Sequence, residues 1–205
     1  MGLLGAIGVI LFFFISGFLI SKIEPEGLKS IFIHFKDRII RIGPLFWIAL
    51  FLTASLFSLN IYQGFWIKKF DIYNVIINNL FLNNFTPNYN IPPYWFVSAL
   101  VLFNFVYLVL RYFFKNSFYF AVSSLGVYFL FLTLEMAGII WATNAFIYFI
   151  AGSLLGMLYN AKIFTMDKIK SVHPVISTIS ESSYSIYLFH LIIFGAMEIC
   201  LRYYI

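Results

Sequence analysis

Apolar residues along this chain gather into long runs that approach membrane-spanning length and show no strand-like alternation. Six runs can be drawn, over residues 3–20, 44–59, 94–110, 118–134, 142–159 and 184–201. Each predicts a helix. A backbone in hydrocarbon has no water to bond, so every amide must pair within its own segment, and a β-barrel would instead show short alternating stretches. The expected fold class is therefore all-α, a polytopic transmembrane helix bundle of about six spans forming a single membrane domain over 1–205. The longest polar connection, 60–93, contains an amphipathic patch at 75–82 that reads as an interfacial or re-entrant helix.

Composition agrees with this pattern. The 205 residues are 62% hydrophobic and 10% charged, too apolar for a soluble domain to cover with polar surface. The net charge of +5 would suit a nucleic-acid partner if it were gathered on one surface, but the basic residues sit in short segments between apolar runs. They read as topology, with no nucleic acid implied. With six alternating spans, one side holds Lys22, Lys29, Lys36, Arg38, Arg41, Arg111, Lys115, Lys162, Lys168 and Lys170, and the other Lys68, Lys69 and Arg202. That bias places the richer set in the cytoplasm and the first helix with its N-terminus outward, in a multi-pass membrane protein. The first run is preceded by no basic residue and followed by no small-residue cleavage site, so it reads as a retained helix rather than a signal peptide. Cys200, the single cysteine, has no partner for an intrachain disulfide.

Polar residues that interrupt the apolar pattern are the candidates for chemistry. Ser16 and Gly17 lie near the end of the first run, where small residues let helix backbones approach closely. Arg38 and Arg41 are three apart in the following segment, on one face if that segment is helical, where two guanidiniums can hold phosphate or carboxylate by paired bonds. The alternative for both is ordinary topogenic charge. In the last run Ser183, Tyr187 and His190 recur at helical spacing, and His190 falls roughly 10 Å into the span at the helical rise. An ionisable group at that depth marks a functional site by default, against the plainer reading of a neutral imidazole bonded to a neighbouring hydroxyl. No residues show metal-ligand spacing, and no phosphate-binding glycine loop is present.

Four segments together resemble the acyltransferase 3 family of membrane acyltransferases. They are Phe12-Phe13-Phe14-Ile15-Ser16-Gly17-Phe18-Leu19-Ile20, Arg38-Ile39-Ile40-Arg41-Ile42-Gly43-Pro44, Tyr94-Trp95-Phe96-Val97 and Ser183-Tyr184-Ser185-Ile186-Tyr187-Leu188-Phe189-His190, in the family's order. The resemblance implies transfer of an acyl group, usually acetyl, from acyl-CoA to a hydroxyl of a cell-envelope polysaccharide or glycolipid at the bacterial inner membrane. The implied partners are acyl-CoA as donor substrate, that acceptor and membrane lipid, with no bound cofactor or metal. By the same resemblance Arg38 and Arg41 would hold the coenzyme's phosphates, Ser16 would line the donor path, Tyr187 would contact substrate, Trp95 would either anchor the outer interface or edge the acceptor path, and His190 would serve as base or position the base of the missing helix. Family members usually begin with a further helix carrying an Arg and a His, and nothing in 1–11 resembles it; the carboxylate many members carry after the Trp is also replaced, with Ala99 and Leu100 in that region. The chain thus reads as N-terminally truncated relative to the family. The rival readings are a polytopic transporter or flippase subunit, in which Arg38, Arg41 and His190 steer an anionic substrate, and a catalytically inactive partner of a complete acyltransferase.

Overall fold

The computed structural model describes residues 3–58, 72–85, 94–140 and 143–161. Among them all the regular structure is helical: α1 Leu3–Ile20, α2 Leu28–Ser58, α3 Ile72–Asn79, a single 3-10 turn at Asn83–Phe85, α4 Trp95–Phe113, α5 Ser117–Met136 and α6 Thr143–Asn160. Helices α2, α4 and α5 are long and apolar enough to cross a membrane, and α1 carries a shorter apolar stretch, Ile7–Ile20. The expected all-α membrane bundle is what the protein forms. Five of the six expected spans correspond to α1, α2, α4, α5 and α6, and the sixth, 184–201, lies outside the described residues.

Two boundaries differ from expectation. The second span does not begin at Pro44, because α2 runs unbroken from Leu28 through Pro44 to Ser58. Its first half looks like a charged loop, yet it has a helix-period stripe that continues across the proline: Ile31, Ile42, Phe46, Ala49, Leu50 and Thr53 are buried, with Phe35 and Arg38 half-buried in the same register. Pro44 costs one backbone bond, to the Ile40 carbonyl, and the helix continues through it. The amphipathic patch expected at 75–82 is a helix displaced toward the N-terminus, Ile72–Asn79.

The last turn of α3 explains where it stops. Phe81 takes a left-handed φ of 57°, Leu82 N donates to the Ile77 carbonyl and Phe81 N to the Asn78 carbonyl, a C-terminal motif in which glycine is the usual residue. The strain is offset by packing the half-buried ring, which stacks on Phe46 of α2 at 5.0 Å. Helix α5 ends in the same motif with the usual residue: Gly138 has a φ of 72°, and Ile139 N reaches the Leu134 carbonyl. Its start is capped by Asn116, whose side chain accepts from Phe118 N at 2.8 Å.

Packing centres on α4, of which 67% is buried against 17% of α5. Helices α1 and α6 run parallel in close contact: Gly17 meets the Phe149 backbone, Gly152 the Phe14 backbone and Gly156 the Phe18 carbonyl, so that a Cβ on Gly17 or Gly152 would overlap main-chain atoms of the other helix. Apolar association in lipid gains nothing from expelling water, so the attraction comes from dispersion between backbones brought this close. Phe103 of α4 fills the groove beside the pair, with ring centroids 5.4 Å from Phe13, 5.0 Å from Phe146 and 5.8 Å from Phe149.

Gly152→Ala drives a methyl into the Phe14 main chain and is expected to lower stability by about 3 kcal/mol. Gly126→Ala, on α5 with open space around it, should instead be neutral or stabilising by about 0.5–1 kcal/mol through helix propensity. Thermal unfolding of the two variants in one detergent checks the contrast.

Candidate functional site

Ring contacts give the register of α4 against its neighbours. Phe35 of α2 meets Phe105 at 5.2 Å and Phe46 meets Tyr94 at 5.5 Å, so α2 runs antiparallel to α4 with Arg38 level with Leu102 and Arg41 level with Ala99. Helix α1 runs parallel to α4, meeting it through Phe12 with Phe96 at 5.3 Å and Phe13 with Phe103 at 5.4 Å. Beyond the end of α1, Tyr107 Oη donates to the Ile23 carbonyl at 3.4 Å, and Arg111 pairs with Glu24. Phe105 is therefore about level with the end of α1. Arg38 lies about 4.5 Å and Arg41 about 9 Å further in, toward the Tyr94 end, by the helical rise.

The arginines are consequently part of a span, and not of the loop preceding one. Arg38 sits half-buried on the stripe that α2 turns to α4, and Arg41, beside it at the stripe's edge, is exposed. The segment is helical, so the two do share a face. Two cations one to two turns inside an apolar bundle are costly unless they serve a ligand or a partner, and both are within snorkelling reach of the Arg111 end.

Ser16 is at the same depth as Arg38 but apart from it. It belongs to the buried stripe Phe13, Ser16, Gly17 and Ile20 of α1. That stripe meets α4 on the Phe96 and Phe103 side, whereas α2 meets Tyr94 and Phe105, which lie about 200° away around the helix. Trp95 is half-buried at the opposite end of α4, tilted against Phe13 at 6.2 Å, about 10 Å along the axis from the level of Arg38. The structure thus groups Arg38 with Arg41 and separates them from Ser16 and Trp95. Tyr187 and His190 lie outside the described residues.

Two groups of polar residues escape a reading of the sequence. At one end of the bundle Arg111, 7% exposed, donates to the carbonyls of Phe114 and Lys115 and to Glu24, and so ties the end of α4 to the turn after α1. Asn160 of α6 reaches the Ser21 carbonyl in the same turn at 3.3 Å. At the other end a hydroxyl pair, Thr53 and Tyr94 at 2.6 Å, and a chain of Asn78, Asn83 and Ser98 are buried between α2, α3 and α4. Arg111 looks like one topogenic charge among ten. The asparagines sit in what looks like a solvated connection, and their only signal is two Asn-Asn pairs, 78–79 and 83–84, interleaved with short apolar stretches. Among the described residues no group of His, Cys, Asp and Glu is placed to hold a metal ion.

Arg111→Lys keeps the charge and loses the planar fork that reaches two carbonyls and a carboxylate at once, with an expected cost of about 2 kcal/mol. Glu24→Gln should cost less than about 1 kcal/mol, because Glu24 is 69% exposed and its half of the pair is screened. Unfolding midpoints of the two variants test that order.

The family model described as acyltransferase domain, acyltransferase 3, matches residues 1–172, which takes in every described helix and both arginines. No curated protein and no solved structure matches the chain. With apolar helices of spanning length beneath a family match over most of its length, the chain is a membrane protein belonging to the acyltransferase 3 family.

Proposed function

We propose that the protein moves an acyl group, acetyl in the simplest case, from acyl-CoA to a hydroxyl of a cell-envelope polysaccharide or glycolipid. The observation that carries this reading is Arg38 on the buried stripe of α2 with Arg41 beside it, in a chain of the acyltransferase 3 family. Acyl-CoA brings several phosphate charges, and guanidiniums held at the edge of an apolar bundle bind them by paired, charge-assisted bonds. In this reading the Arg111 end faces the cytoplasm, where the coenzyme is made, and the Tyr94 end faces outward; the basic residues Lys22, Lys29, Arg111 and Lys115 near the first of these agree with the positive-inside rule.

The reaction balances simply. The acceptor oxygen attacks the thioester carbonyl while a base takes its proton; the tetrahedral oxyanion collapses, the new ester forms, and the thiol leaves after receiving a proton. His190 is our candidate for the base, Tyr187 three residues before it for a substrate contact, and Trp95 for the edge of the acceptor path. Ser16, on the far flank of α4, is better assigned to helix packing than to the donor path.

The test uses the full chain in nanodiscs with acetyl-CoA. Arg38→Ala is expected to raise the donor KM about 10- to 100-fold, the value of a charged phosphate contact, with a smaller effect for Arg41→Ala. Each variant should also lose discrimination between acetyl-CoA and its 3′-dephospho form if its guanidinium holds that phosphate. Unchanged donor KM in both variants overturns the phosphate role, and glycolipid transport without acyl transfer overturns the reading as a whole. His190→Ala should lower kcat roughly 100-fold or more while leaving the donor KM in place, as loss of a general base does.

A further inference from the structure

The outer flank of the bundle contains a polar cluster with one side chain left over. Asn83, fully buried in the 3-10 turn, donates through Nδ2 to Asn78 Oδ1 and accepts through Oδ1 from Ser98 Oγ of α4 at 2.9 Å. Those bonds hold the turn against α4. The next residue, Asn84, is 1% exposed, and neither its Nδ2 nor its Oδ1 has a hydrogen-bond partner. A buried carboxamide with both ends unpaired is among the costlier arrangements a fold can keep, and leucine would fill the same space without that cost. Its neighbours Leu82 and Phe85 are 40% and 46% exposed, so the buried amide lies a single residue from an open aromatic and aliphatic surface.

The position of the cluster adds to its chemistry. Ser98 follows Tyr94 by one turn and lies on the flank of α4 that faces α2, level with Ile42. Arg38 is on that same flank, about 6 Å further along the axis. Arg38 and the turn that carries Asn84 therefore share one side of one helix, with the turn toward the Tyr94 end.

We infer that Asn84, held in place by Asn83 and Ser98, forms the subsite for the sugar hydroxyls of a glycan acceptor. A hydroxyl both donates and accepts, so one sugar oxygen, or two on adjacent carbons, satisfies Oδ1 and Nδ2 together, and the exposed ring of Phe85 offers a face to sugar C–H groups. This inference rests on the acyl-transfer reading and adds to it the location of the acceptor. Asn84 is a binding residue here, with no part in the chemical step.

The experiment compares the wild-type chain and Asn84→Leu in nanodiscs. Binding asparagine kept unpaired for a ligand predicts that Asn84→Leu melts roughly 2–6 °C higher than wild type, since an unsatisfied polar group has been removed. It also predicts an acceptor KM raised at least tenfold with the acetyl-CoA KM unchanged. The oligosaccharide fraction released from the envelope of the producing cells should raise the melting temperature of wild type and not of the variant. A lower melting temperature for Asn84→Leu means that the amide is satisfied by a resident water only, and overturns the inference; so does an unchanged acceptor KM, or an equal oligosaccharide shift in both proteins. If wild type transfers no acyl group to any fraction, the acyl-transfer reading fails by itself, and the two melting comparisons still decide whether Asn84 binds a glycan.

Discussion

Direct backbone contact between α1 and α6 is the constraint on which the rest of the bundle depends. In lipid two apolar helices gain nothing by hiding from water, so a lasting contact must come from close fit, and close fit here requires that Gly17 and Gly152 have no side chain. Once the pair is parallel and in register, the groove beside it accepts Phe103, and that ring fixes the rotation of α4. Arg111 and Tyr107 then fix its height by bonding to the turn that follows α1. Rotation and height together determine what α4 shows to α2.

The two flanks of α4 consequently do different work. Toward α1 and α6 it presents Phe96, Phe103 and Tyr107, a packed aromatic surface on which Ser16 is one small residue among several. Toward α2 and the 3-10 turn it presents Tyr94, Ser98 and Phe105, and that side collects the hydroxyl pair, the asparagines and the two arginines. Polar groups inside an apolar bundle carry a desolvation cost, which those on this side offset by bonding one another: Thr53 to Tyr94, and Asn83 to both Asn78 and Ser98.

Most of the helices could be read from the sequence because hydrocarbon permits so few backbone solutions: an apolar run of spanning length has little choice but to be a helix. The start of α2 was not legible in that way. Lys29, Lys36, Asp37, Arg38 and Arg41 lower the average over any window, and the average hides the Ile31, Phe35, Ile42, Phe46 stripe, whose spacing is what the fold responds to. Phe81 illustrates the converse limit. Local rules ask for glycine at a left-handed helix end, and only the tertiary contact with Phe46 makes a phenylalanine acceptable. Of the site, the pairing of Arg38 with Arg41 follows from spacing alone, whereas the distance of Ser16 from them depends on which side of α4 each helix takes, and no local pattern encodes that.

A transferase that works across a membrane has to solve a geometric problem: its donor is charged and arrives from one side, its acceptor is polar and arrives from the other, and the reacting atoms must meet where water is scarce enough to prevent hydrolysis of the thioester. A single helix face is an economical answer. On the proposed reading, arginines that bind phosphate and, nearer the Tyr94 end of the same face, an amide that binds sugar need no large motion to bring a thioester and a hydroxyl together, because the few ångströms between the levels of Arg38 and Ser98 are shorter than the flexible arm of an acyl-CoA. On that reading the orphaned amide of Asn84 has a use: a site that excludes water between turnovers yet admits a sugar is most selective when its hydrogen-bonding groups are desolvated and unpaired before the sugar arrives.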